Sequence, residues 1–196
     1  DRWLPEPWTK RVAYFVGAYT TLSDGTIQMV EWAPVPTSKP GIYHAYLWES
    51  KDELETVAGP ILVPVEIPQL KSLGYDDQGN PADGFRFERT MFQLPGGDLL
   101  ATGYGNFVGD DTPCTHISKV CKYRSFLLRS SDRGRNWKYV STIAVDPTVG
   151  EEGFDEPVMI RLSKGPKAGR LICLMLTGHM TGFIHQAVSD DEGLTW

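Results

Sequence analysis

Two acidic positions sit at matching places in this 196-residue chain: Glu88 lies six residues before Leu94, Glu156 six before Leu162, and each leucine opens a glycine-containing turn. The same alignment puts Val16 before Leu22, and it puts Trp32, Tyr104 and Leu176 at the ends of the segments that return from the three turns. Two carboxylates and two aromatic rings therefore point toward one rim. Carboxyl groups there can exchange protons or accept hydrogen bonds from hydroxyls, and Trp32 and Tyr104 offer flat apolar faces to a ligand. Asp155, next to Glu156, is a further acid or hydroxyl acceptor, and Arg89, next to Glu88, is a nearby cation. Each residue also has a plainer reading. Glu156 can be a rim carboxylate satisfied by backbone amides or by Arg161, Glu88 and Arg89 a surface pair, and the aromatics packing. His179 and His185 bracket a strand and read as ordinary hydrogen-bonded side chains.

The elements that must hold these residues repeat along the chain. Ala18 to Val30 leads to Tyr43–Asp52, Arg89 to Leu100 leads to Arg124–Asp132, and Glu156 to Met175 leads to Ile184–Asp191. Each unit has short runs of Val, Ile, Leu, Tyr and Phe broken by Ser-Asp-Gly, Pro-Gly-Gly or Ser-Lys-Gly, in which glycine supplies the positive φ of a hairpin turn. Helical periodicity of useful length is absent. Four antiparallel strands repeated every 60 to 80 residues or so is the pattern of propeller blades, here about three of them, at approximately 11–60, 84–145 and 153–196. Residues 60–83 and 109–119 are expected to be loop insertions. Three blades do not close a ring, the chain starts at Asp1 rather than Met, and it stops at Trp196 within a motif, so a partial propeller domain is expected over 1–196.

That motif is Ser189-Asp190-Asp191-Glu192-Gly193-Leu194-Thr195-Trp196, which fits Ser-x-Asp-x-Gly-x-Thr-Trp throughout. Ser130 to Trp137 repeats it with Asn136 for Thr, and Ser50 to Val57 is a worn copy with Leu54 for Gly and Val57 for Trp. Ser and Asp oxygens can receive the N–H groups of a tight turn while the tryptophan packs between sheets, so the box is a folding device. With three copies each ending a similar unit, the chain from about Val16 to Trp196 resembles the Asp-box (BNR-repeat) propellers of the sialidase, or neuraminidase, superfamily.

The resemblance implies an all-β, sialidase-like β-propeller, six-bladed in that family, with the boxes on the face away from the active site. It implies an exo-acting glycoside hydrolase working on a terminal sugar, sialic acid or another acidic or deoxy sugar, without a cofactor, in a setting that leans to secreted or periplasmic. Phe154-Asp155-Glu156-Pro157 resembles the segment whose glutamate activates a tyrosine nucleophile, which makes Glu156 the catalytic candidate and Glu88, Arg89, Tyr104, Trp32 and Asp155 the substrate-binding candidates. The arginine that would clamp a sialic acid carboxylate is replaced by Leu176. The alternative is a non-catalytic Asp-box propeller that binds carbohydrate or protein; receptor and photosynthetic-assembly propellers carry similar turns.

A formal net charge of −6 argues against a nucleic-acid surface, which needs clustered Lys and Arg. The uncharged stretch 171–189 is interrupted by Gly178, His179, Gly182 and His185, so it reads as two strands and a loop rather than a membrane span. Three cysteines give no disulfide framework. Cys173 reads as core; Cys114 and Cys121, flanking His116, are ordinary loop residues, a small disulfide or part of a metal site, and no cluster demands a metal.

Overall fold

The computed structural model describes residues 17–71, 85–115, 117, 120–178 and 182–196. Val16, His116 and His179 fall outside the described residues. All twelve regular elements are strands, and there is no helix among the described residues.

Strands β1 (Ala18–Thr21), β2 (Ile27–Val30), β4 (Ile42–Ser50) and β5 (Ala58–Glu66) form the first antiparallel blade, with the short β3 (Val35–Pro36) added beside β4. The second blade is a meander of β6 (Arg86–Gln93), β7 (Leu99–Gly105), β8 (Arg124–Ser130) and β9 (Trp137–Ala144). The third comprises β10 (Asp155–Arg161), β11 (Leu171–Leu176) and β12 (His185–Ser189). Residues 171–176 and 185–189 are thus two strands. Blades one and two touch through two parallel links, Tyr19 with Thr90 at the innermost strands and Val65 with Trp137 at the outermost. This is the blade arrangement of a sialidase-like propeller.

One expectation is corrected. Residues 60–66 are not an insertion but most of β5, so the first unit runs to Glu66. The prolines at 60 and 64 disguised it. Pro64 is tolerated because β5 pairs with β4 on one side, without a break from Ile61 to Glu66, whereas its other side makes only two bridges, at Val65 and Glu66. Val63 and Val65 still alternate inward at 1% and 0% exposure.

The core lies between blades. Phe85, Phe87, Phe126 and Trp137 pack with Leu47, Val63, Val65 and Ile67 between the first and second. Leu100, Leu127, Ile143, Met159, Leu171 and Cys173 do the same between the second and third, so Cys173 is core. Trp137 and Trp196, the last residues of the two better boxes, each join one of these clusters.

All three boxes close with one hydrogen-bond set. In the second, the Ser130 hydroxyl donates to Asp132 at 2.8 Å and accepts from the Gly134 N–H at 2.9 Å, while Asp132 accepts from the Asn136 N–H at 2.9 Å. The worn copy does the same through Ser50, Leu54, Asp52 and Thr56 at 2.9 Å each. It survives the loss of glycine because Leu54 itself adopts φ 73°, held by the same bonds and by packing with Met29, Trp48 and Val57. Ser130→Ala is expected to cost about 1–3 kcal/mol, because it leaves the buried Gly134 N–H unpaired. The check is a lower urea midpoint at unchanged slope.

Cys114 and Cys121 are both free. The reason is register: Pro113 pairs with Cys121, and the Cys114 N–H bonds to the Val120 carbonyl. Cys114 is thus one step out of line with Cys121, and its side chain leaves the ladder on the opposite face. No group of three or more metal-ligating side chains occurs among the described residues.

Candidate functional site

The first strands of blades two and three both carry a bulge near their beginnings, between Phe87 and Met91 in β6 and between Asp155 and Val158 in β10. Within each, one non-glycine residue has φ 40°: Arg89 and Glu156. The residue before it is a buried acid, Glu88 at 1% exposure and Asp155 at 4%. Turn spacing pairs Glu88 with Glu156, but the two bulges differ by one residue. By burial and backbone conformation, the counterpart of Glu88 is Asp155.

The bulge has a chemical consequence. Neighbouring residues in a regular strand point to opposite faces, yet Asp155 and Glu156 both line one cavity. The left-handed conformation at Glu156 turns its side chain to the same side. Among the described residues, Glu152, Leu176, Gly178, Gly182 and Ile184 also line this open hollow of about 450 Å³.

A chain of polar contacts runs from it across all three blades. The indole N–H of Trp32 donates to Glu88 Oε2 at 3.1 Å. Arg89 Nε lies 2.8 Å from Glu88 Oε1, an ion-pair distance although not in line for a hydrogen bond, and another guanidinium nitrogen of Arg89 lies 3.1 Å from Glu156 Oε2. Glu156 is therefore met by Arg89, not by Arg161, which borders a separate cavity with Thr20, Thr21 and Gln93. Below the bulges, the Thr102 hydroxyl reaches the carbonyls of Glu88 at 2.8 Å and Pro157 at 2.9 Å, fastening the two strand beginnings together.

Burial dominates the electrostatics. It raises the Glu88 carboxyl above its usual range, an effect opposed by Arg89 and the Trp32 N–H. Asp155 is pushed further, to about 8, by burial, by its hydrogen bond with Glu152 and by the charges of Glu152 and Glu156. One of its oxygens, Oδ1, is buried without a hydrogen-bond partner. Burial and the neighbouring acids thus favour the protonated form of Asp155.

The aromatic candidates are placed less openly. Tyr104 is 8% exposed and packs edge-on against Tyr123 at 5.2 Å. Burial and nearby acids raise both phenols well above their ordinary range, the reverse of what a nucleophile needs. Trp32 has the Arg86 guanidinium over its ring at 4.2 Å, so one face is already occupied. His185 packs edge-on against Phe154 at 5.3 Å.

Sequence reasoning passed over Glu152. Its backbone N–H bonds to the Thr177 carbonyl at 3.1 Å, and its own carbonyl accepts from the Tyr123 N–H at 2.6 Å, which pins the loop before β10 beneath Asp155. The available signal was Gly178 rather than the acid: a Cβ there would come within 2.3 Å of the Glu152 side chain. Gly178→Ala, at φ 73°, is expected to displace Glu152 and lower the Asp155 midpoint by on the order of one pH unit. Carboxyl carbon NMR titration reads this directly.

No protein-family model matches the chain, and no curated protein matches it. Among solved structures it is similar to a protein of unknown function from Dyadobacter fermentans DSM 18053, with TM-score 0.61 and 21% identity over 90% of this chain and 47% of that one. It is also similar to a Hadza microbial sialidase, with TM-score 0.56 and 14% identity over 88% of this chain and 30% of that one. The chain thus spans less than half the length of either. At these identities the likeness is one of fold.

Proposed function

We propose that this chain carries part of the active site of an exo-acting glycoside hydrolase of sialidase-like fold. The observation that carries the reading is the cavity in which Asp155, whose protonated form is favoured, stands beside Glu156, whose carboxylate is met by a guanidinium. Glycoside hydrolysis needs one carboxyl group that gives a proton to the leaving oxygen and one that remains charged. Asp155 fits the first role. Glu156 fits the second, as the base that activates the attacking group, with Arg89 and Glu88 holding it in place. The sialidase likeness supports such chemistry on this fold, as does the placing of both acids at the beginning of an inner strand.

A second reading has one specific observation in its favour. Leu176 lines the cavity where the resemblance implies a carboxylate-clamping arginine, as a carbohydrate- or protein-binding propeller without catalysis would allow. The experiment is release of aryl alcohol from α- and β-glycosides, a sialoside included, by the folded protein and by Glu156→Gln. Turnover lost in the variant supports the enzyme. Sugar binding without turnover by either protein supports the binding module.

A further inference from the structure

We infer that the wall formed by β10 and β11 receives an uncharged sugar with an apolar edge, a deoxy or methyl-bearing ring, and disfavours a carboxylated one. The inference deepens the hydrolase reading and rests on it for the location of the sugar, but binding alone tests it.

The cavity presents two kinds of chemistry. It is lined by three carboxyl groups, those of Glu152, Asp155 and Glu156. Carboxyl oxygens accept hydrogen bonds from the vicinal hydroxyls of a neutral sugar, whereas a sugar carboxylate offers no donor and adds like charge. Beside them are two aliphatic side chains with large exposed surfaces, Leu176, the cross-strand partner of Asp155, at 42% and Ile184 at 62%. No cation lines the cavity among the described residues, and the nearby Arg89 already meets Glu88 and Glu156. Among the described residues, an anionic group entering here would find no free countercharge. A C–H or methyl edge would find Leu176 and Ile184, and would release water from both.

Leu176 has a rival role. It continues a row with Val158, Ile160 and Leu174, exposed at 40%, 54% and 43%, along the outward face of the third blade. Packing of that row against another sheet would require Leu176 to be apolar without any contact to sugar. The two roles predict different ligand selectivity.

The test is titration of the full chain with four methyl glycosides that are not turned over on the timescale of the measurement. Three share one ring configuration and differ only at C6, as hexoside, 6-deoxyhexoside and hexuronide, and the fourth is a sialoside. The 6-deoxyhexoside is expected to bind at least about tenfold more tightly than the hexuronide, and Leu176→Arg to reverse that ratio by about tenfold, since a charge-assisted bond is worth at least that factor. Leu176→Ala, which introduces no buried charge, should weaken the 6-deoxyhexoside several-fold while leaving the hexuronide unchanged. Tighter binding of the hexuronide or sialoside by the wild-type chain would overturn the inference. So would a selectivity ratio untouched by either substitution, or no saturable binding of any sugar. The expected binding pattern without hydrolysis of any aryl glycoside would retain the inference and sink the hydrolase reading alone.

Discussion

Glu156→Gln is expected to lower kcat/KM for the accepted aryl glycoside by about 10²–10⁴-fold while leaving the fold intact. The side chain is partly exposed and contributes no buried apolar surface; its described tie is the 3.1 Å contact with Arg89. Glutamine keeps the volume and can still accept a hydrogen bond from Arg89, so the φ 40° conformation at this position is not disturbed by size. What glutamine cannot do is take a proton from an attacking group. Because that proton moves in the transition state, the loss should fall on kcat, with KM changed little. A structural role for Glu156 predicts another outcome: both parameters drift and the unfolding midpoint falls. Substrates with an activated leaving group separate Glu156 from Asp155, since they need little help from an acid. Asp155→Asn should lose most of its defect on such substrates, and Glu156→Gln should keep its own.

The sequence made the fold far more legible than the site, and the reason lies in where each kind of information is stored. An Asp box is local. Ser130, Asp132, Gly134 and Asn136 satisfy one another within seven residues, so the motif is complete in a single stretch of chain, and its period shows the blades. Strand β5 was hidden because Pro60 and Pro64 mimic a loop, and only its neighbours reveal that the ladder there needs few donors.

The contacts that join the site across blades are non-local. Trp32, Glu88, Arg89 and Glu156 come from three blades, and nothing in their spacing says that one guanidinium joins two of the acids. Counting from the glycine turns placed Tyr104 and Leu176 near the ends of β7 and β11, while Trp32 lies just past β2. The same counting gave the wrong equivalence between Glu88 and Glu156, because the bulges of β6 and β10 differ in length and a bulge leaves no mark on the spacing outside it. Glu152 was missed for a related reason. Its partners, Asp155 and the backbone of Thr177, lie on different segments, and an acid in a Glu-Glu-Gly run reads as solvated loop until Gly178 is seen against it.

Asp155 also ties the stability of the protein to pH in a direction opposite to that of most carboxylates. Its folded midpoint, about 8, lies above the ordinary value of 3.8, chiefly because the side chain is buried, then because Glu152 bonds to it and Glu152 and Glu156 place negative charge nearby. Below pH 3.8 both the folded and unfolded chains hold the proton, and this group's stabilising contribution is fully present. Between 3.8 and 8 the unfolded chain loses the proton while the folded chain keeps it, so the folded state binds more protons and stability falls as pH rises. Above 8 the carboxylate is charged inside the protein and the loss is complete. Each unit of such a window is worth at most about 1.4 kcal/mol, and a net fall of about 2 kcal/mol between pH 5 and 8 is the expected scale. Asp155→Asn removes the titration and keeps the shape. It should therefore flatten the urea-midpoint profile over this window and make the variant the more stable protein at pH 8, while abolishing proton donation to poor leaving groups. A profile as steep in the variant as in the wild type would assign the slope to other groups and leave Asp155 an ordinary ionised carboxylate. The acid role depends on that same proton, so the alkaline limb of kcat should descend near the pH at which the wild-type stability curve levels off. Because one titration sets both, a substitution that displaces Glu152 should move the two features together.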